Sequence, residues 1–368
     1  MQDILLALSA SLTLVATGTA QTIASETEWA LLEQELATVQ DLSGEPEGAV
    51  RIWGYLRTSY GHSDELIPDP GPGSLSGWLV DNLRLNVSGQ TAGFEYRITG
   101  EAQSGRMTLE DAWASFALGP EITATLGRFK QPFLRSGTVE ARDLLLIQRT
   151  RNGLFASVRD QGFMVNGDHG RFHWAAALQN GADGALDEWR TNLSMNLNLV
   201  GEAELPWEGA WKAGPGTRAS LGLAVSDDSA TSASGRVWAW SAYLVQGRFS
   251  LQAEWLHWGA GFNEATSPAN PFFQQQVGAT TPWSVTASYM LVPEKYELAM
   301  RFDNYDDEKA VVGFDRETFT VGVNRYIAGH DIKWQLNYID ASNSGDDAGT
   351  PSDGPHTKVI ALGLTLSF

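Results

Sequence analysis

The stretch IALGLTLSF, residues 360–368, sets Ile360, Leu362, Leu364, Leu366 and Phe368 against Ala361, Gly363, Thr365 and Ser367. Only extended backbone sends successive side chains to opposite faces, so this is a strand with one greasy face and one small, polar face. The same period recurs upstream. Phe94, Tyr96 and Ile98 oppose Glu95, Arg97 and Thr99; Tyr296, Leu298, Met300 and Phe302 oppose Glu297, Ala299, Arg301 and Asp303; Ile332, Trp334, Leu336 and Tyr338 oppose Lys333, Gln335 and Asn337.

Working outward from these segments predicts about sixteen strands, near 48–60, 76–88, 92–102, 108–117, 120–128, 160–168, 170–179, 191–203, 217–226, 235–246, 248–258, 281–291, 294–305, 315–327, 329–341 and 355–368. Their lengths suit tilted strands that cross a bilayer. A soluble sandwich alternates too, so the connections decide. Odd-to-even connections are long: 61–75, 103–107, 129–159, 180–190, 227–234, 259–280, 306–314 and 342–354. Even-to-odd connections are short, around Gln90, Gly119, His169, Gly247, Pro293 and Ala328, with 204–216 the one exception. Short turns at one rim, long loops at the other and an even strand number describe an outer-membrane barrel of a Gram-negative bacterium. The expected fold is therefore all-β, a transmembrane antiparallel β-barrel with a short N-terminal helix.

Composition agrees. The 368 residues include 38 glycines and 14 tryptophans, and no run of 18 apolar residues offers a membrane helix. Zero cysteines exclude disulfides, thiolate metal sites and a cysteine nucleophile. A net charge of -19 disfavours nucleic acid as a partner.

Residues 1–20 read as a signal peptide: ILLALSASLTLV (4–15) is apolar and Gly18 and Ala20 precede a cleavage point, although Asp3 stands where a basic residue is usual. Residues 21–47 read as a periplasmic helix and linker. Ser25 caps SETEWALLEQELATVQ (25–40), and Trp29, Leu32, Leu36 and Val39 form a seam two heptads long, suited equally to packing on a surface or to a short oligomerising coil. The barrel takes 48–368.

One connection breaks the charge pattern. From Arg128 to Arg159, across the 129–159 connection, stand Arg128, Lys130, Arg135, Arg142, Arg149, Arg151 and Arg159 against only Glu140 and Asp143, in a chain that is otherwise strongly acidic. The apolar run Leu144–Ile147 inside it suits a loop folded inward against the wall. Arginines lining a narrow, low-dielectric channel attract anions and repel cations, and they keep their charge at any external pH. Arg51, Arg57, Arg84 and Arg97, on polar strand faces, extend the path, with Arg301 and Lys333 farther along.

Four segments, GWLVDNLRLNVSGQTAGFEYRITGEA (77–102), LEDAWASFAL with LGRFKQPF (109–133), VRDQGFMVNGDHGRFHWAAALQNG (158–181) and FTVGVNRYIAGHDIKWQLNYI (319–339), resemble the phosphate-selective porin O and P family, GRFKQPF followed by RDQG most specifically. The resemblance implies a homotrimeric outer-membrane porin, embedded in outer-membrane lipid, through which small anionic solutes such as phosphate diffuse passively. It departs from the phosphate-specific members in that Lys130 is the only lysine of the loop. The other reading of the residues is a surface barrel, adhesin or receptor, that binds through long loops such as 259–280. No enzyme motif, cofactor motif or metal-ligand spacing occurs, so neither catalysis nor a cofactor is expected.

Overall fold

The computed structural model describes residues 49–63, 75–91, 93–103, 106–181, 189–201, 204–228, 235–258, 281–305, 315–344 and 357–368. The signal peptide, the heptad seam and most long connections, 259–280 among them, lie outside these residues.

Sixteen antiparallel strands follow one another round a closed ring. They are β1 (Val50–Ser63), β2 (Leu75–Thr91), β3 (Phe94–Gln103), β4 (Arg106–Ala117), β5 (Ile122–Lys130), β6 (Arg159–His169), β7 (Phe172–Gln179), β8 (Arg190–Val200), β9 (Thr217–Asp228), β10 (Gly235–Gln246), β11 (Phe249–Trp258), β12 (Trp283–Val292), β13 (Tyr296–Tyr305), β14 (Asp315–Ala328), β15 (Ile332–Ser344) and β16 (Thr357–Ser367). Each overlaps its expected strand. The ends differ by a few residues, so Arg128 and Lys130 belong to β5, Arg159 belongs to β6, and the basic connection proper is 131–158.

A sheet of this size avoids raw edges by closing on itself, which in lipid is compulsory because no water can satisfy an edge strand. Closure is made by β1 and β16, paired from Tyr55 with Ser367 to Ser63 with Val359. Beyond that ladder Gly54 and Phe368 exchange both backbone hydrogen bonds, at 2.8 and 3.0 Å. The alternation read at 360–368 now has its meaning: Ile360 is 53% exposed on the outer face, whereas Val359 and Ala361 are buried.

The inner face is polar, yet much of it is buried. Arg57, Arg84, Asn86, Glu101, Glu254, Glu297, Lys333, Gln335 and Asn337 all have less than a tenth of their surface exposed. Polar side chains on the inside of a barrel this wide meet water unless something else fills the lumen. The filling is supplied by the connections 131–158 and 204–216.

Candidate functional site in the barrel lumen

The 131–158 connection holds two short helices, α1 (Arg135–Thr138) and α2 (Arg151–Ala156), with a 3-10 turn at Ala141–Asp143. Thr150 caps α2, its hydroxyl accepting from the Gly153 N–H at 2.9 Å. Phe133, Leu134, Phe155 and Ala156 pack on an apolar patch of the inner wall formed by Ala224, Val237, Ala239 and Leu256. Between the helices the chain reaches strands half-way round the ring from β5 and β6.

That crossing is made by the apolar run. Leu144, Leu145, Leu146 and Ile147 are each no more than 2% exposed. Burying four such side chains contributes roughly 6–12 kcal/mol gross. Their backbone polar groups need partners once buried, and wall side chains supply them. Lys333 Nζ donates to the Leu144 carbonyl at 2.5 Å, Asn324 and Gln335 to that of Leu145, Arg57 to that of Ile147 at 2.5 Å, and Arg301 to that of Gln148 at 2.7 Å. The Ile147 N–H donates to Asn337 at 2.8 Å. Arg57, Arg301 and Lys333, expected along an ion path, are thus anchors of the loop.

The remaining basic residues divide in the same way. Lys130 donates to the carbonyls of Gly137, Thr138 and Val139. Arg149 donates to those of Ser136 and Val139, closing the loop on itself, and burial lowers its pKa to about 10. Arg135 reaches the carbonyls of Leu205 and Trp207 and pairs with Glu204 at 3.1 Å. Arg159 pairs with Glu110 and Asp111, both at 2.8 Å, and Arg128 with the backbone of β4. The Arg151 backbone N–H bonds to Asp303. Arg84 pairs with Glu101 and, at 2.9 Å, with Glu140.

Glu140 is the hub of this network. It also accepts from Arg97 at 2.8 Å. Burial alone would raise its pKa, but Lys130, Arg84, Arg97 and Arg159 together hold it well below the usual carboxylate range. Asp143 shifts the other way: burial raises its pKa, and Arg142 and Lys333 only partly oppose that.

Three guanidiniums come together elsewhere, and the strand register explains how. Inward residues stack in rows across neighbouring strands. Arg51, Ser88 and Arg97 form one row, and Trp53, Asn86 and Thr99 the next. The Trp53 ring therefore stands beside both arginines, whose guanidinium carbons lie 6.0 and 5.1 Å from its centroid. The loop delivers the third, Arg142, at 4.8 Å. Arg142 is steadied by Asp331 at 3.2 Å, in the β14–β15 turn. Arg51 pairs with no carboxylate among the described residues. Stacking on an indole fixes a guanidinium and leaves any N–H not already bonded available to an oxyanion. Arg97 gives part of its edge to Glu140 and Asn86, and Arg142 part of its edge to Asp331 and Asp143. The sequence reading did not name Trp53, and it named Glu140 only as one of the two acidic residues of the basic connection.

The 131–158 loop does not act alone. The long β8–β9 connection, the exception among the short turns, also enters the lumen. Leu205, Ala210 and Ala213 are buried, and the Glu208 N–H donates to the Asp143 carbonyl at 3.0 Å. Its unusual length and its sequence LPWEGAW (205–211) were the available signals.

Comparison with known proteins fits this geometry. Residues 224–368 match the family model described as phosphate-selective porin O and P. Among solved structures, an anion-selective porin from Comamonas acidovorans is 14% identical, with 87% of this chain and 99% of that chain covered at a TM-score of 0.55. A high-pH structure of OprB from Pseudomonas putida is 8% identical, covering 93% and 97% at 0.60. The in-vitro folded trimer form of OmpT from Vibrio cholerae is 12% identical, covering 88% and 100% at 0.55. At these identities the likeness is one of fold. No curated protein sequence matches the chain. The family model runs from within β9 to the end of β16, so that residues 224–368 are similar to the phosphate-selective porin O and P family, and the closed sixteen-stranded wall as a whole shares the fold of the solved porins.

Proposed function

We propose that this porin passes small anions such as phosphate by passive diffusion, and that the constriction is formed by the 131–158 loop. The observation that carries the reading is the group of Arg51, Arg97 and Arg142 around Trp53. A fixed cluster of positive charge in a confined, low-dielectric passage raises the local anion concentration and opposes cations. The other basic residues of the region hold the loop in place, so the selective charge is narrower than the whole cluster of seven. A mature chain beginning after residue 20, a periplasmic segment over 21–47 and assembly as a homotrimer complete the proposal.

The deciding experiment is the reversal potential of the purified channel in a planar bilayer under a tenfold KCl gradient. Anion preference is expected. A cation-selective wild type would overturn the reading.

A further inference from the structure

The β8–β9 connection behaves as part of the passage, entering from the rim opposite the 131–158 loop. The even-to-odd turns occupy one rim and 131–158 leaves the other, so two segments of opposite origin meet inside the barrel. Their contact is specific. Glu208 grips the loop twice: its Oε2 accepts the Leu145 N–H at 2.9 Å and its own N–H donates to the Asp143 carbonyl at 3.0 Å. Arg135, at the other end of the loop, donates to the Leu205 and Trp207 carbonyls, both at 2.6 Å, and lies over the Tyr243 ring.

The connection is in turn fastened to the wall. The Ala210 N–H donates to Glu297 at 2.7 Å, and the Leu205 N–H to the Tyr243 hydroxyl at 3.1 Å. Gly209 lies between, at φ +89°, where a Cβ would fall 2.6 Å from a Glu297 oxygen and 2.9 Å from Leu145. That positive φ strains any residue with a Cβ, which favours glycine here. Trp207 and Trp211 close the assembly, stacking with His330 and Tyr326.

We propose that 204–216 is a second constriction element and that Glu208 is the positioning residue that holds the 131–158 loop at its place in the pore. This rests on the reading of that loop as the constriction. A single loop tip tied only to the far wall could rock about its ends. Gripped from below by Glu208, it has a fixed height, and Arg142, one residue before Asp143, is fixed with it.

The test is single-channel recording of Glu208→Ala and Glu208→Gln in planar bilayers, with folding checked by the slower migration of the boiled protein on a denaturing gel. Alanine removes the acceptor of the Leu145 N–H, and a rise in conductance of about twofold with flickering current is expected. Glutamine keeps an acceptor oxygen and should restore the quiet wild-type level. Because the chain has no cysteine, the pair Asp143→Cys with Glu208→Cys gives a second test on one folded protein. Recordings should be quiet when oxidised and noisy when reduced. A folded Glu208→Ala channel identical to wild type in conductance and noise overturns the proposal, as does a cysteine pair indifferent to reduction. Reversal potentials from the same bilayers separate the two claims: a cation-selective wild type with a noisy alanine variant would refute anion preference and leave the positioning role standing.

Discussion

The guanidinium carbon of Arg142 lies 4.8 Å from the centroid of the Trp53 indole, joining a residue of the lumen-crossing loop to the first strand of the wall. Arg142 is more than a quarter exposed, whereas Arg135 and Arg159 are less than a tenth exposed, although Arg142 too has carboxylates in contact, Asp331 and Asp143. Replacing it by glutamate changes the local charge by two units. At about 6 Å in water that is about 1.4 kcal/mol before screening, or tenfold in local ion ratio. The Arg142→Glu channel should lose anion preference several-fold, read as a shift of reversal potential. Arg149→Glu should instead yield a disordered loop, since Arg149 holds the carbonyls of Ser136 and Val139.

Trp53 itself carries no charge, so its removal separates order from electrostatics. Each exposed cation–π contact contributes about 0.5–1 kcal/mol. Trp53→Ala should keep the sign of selectivity but weaken anion binding, so that conductance in chloride or phosphate saturates at higher concentration. Trp53→Phe should fall between. A reversed sign in Trp53→Ala would mean that the ring orders a different set of charges.

Glu140 gives a prediction for stability and pH. Breaking its pairs with Arg84 and Arg97 leaves Arg97 without a carboxylate and Arg84 with Glu101 alone, at a cost of about 3 kcal/mol. Glu140→Gln should therefore make the 131–158 loop a target in limited proteolysis while the barrel survives. Its folded pKa is depressed, so its contribution is fully present above the ordinary glutamate value and is lost only as pH falls through the lower, folded value. The wild-type loop should remain protected at about pH 4. Asp143 has the opposite sign: its raised pKa means that it opposes folding once ionised, so acid relieves it.

The strand count, the closure and the inward loop were legible because each leaves a mark on period or length. Ile360 and Leu362 alternate with Val359 and Ala361 whichever partner they meet, and a run such as Leu144–Ile147 cannot rest in solvent. The roles of the arginines were not legible. Sequence shows that Arg57, Arg142 and Arg149 are basic, but whether each meets a carbonyl, a carboxylate or open lumen depends on where a 28-residue connection lands on strands about 190 positions away. Glu208 was hidden for the same reason, although the length of its turn marked the segment as unusual.

The last prediction concerns how the wall makes room for the loop. Gly322 of β14 and Gly363 of β16 both face inward, beside Asn337 and Gln335. A Cβ on Gly322 would sit 2.8 Å from Leu146 Cδ2 and 2.2 Å from the Asn337 amide nitrogen. One on Gly363 would sit 2.9 Å from Ile147 Cγ1. The two glycines form a berth for the loop tip, in a wall that valine would otherwise suit by strand propensity. Gly322→Val should therefore leave the barrel intact, since a β-branched residue suits the strand, yet lift Leu146 and Ile147 from the wall at a cost of about 1–3 kcal/mol. The expected signature is a heat-modifiable barrel whose conductance is altered and whose 131–158 loop is cut by protease. At Gly363 the contact is with Ile147 alone, so the valine effect should be smaller. An unaltered conductance in Gly322→Val would mean that the loop tip finds its place without the berth.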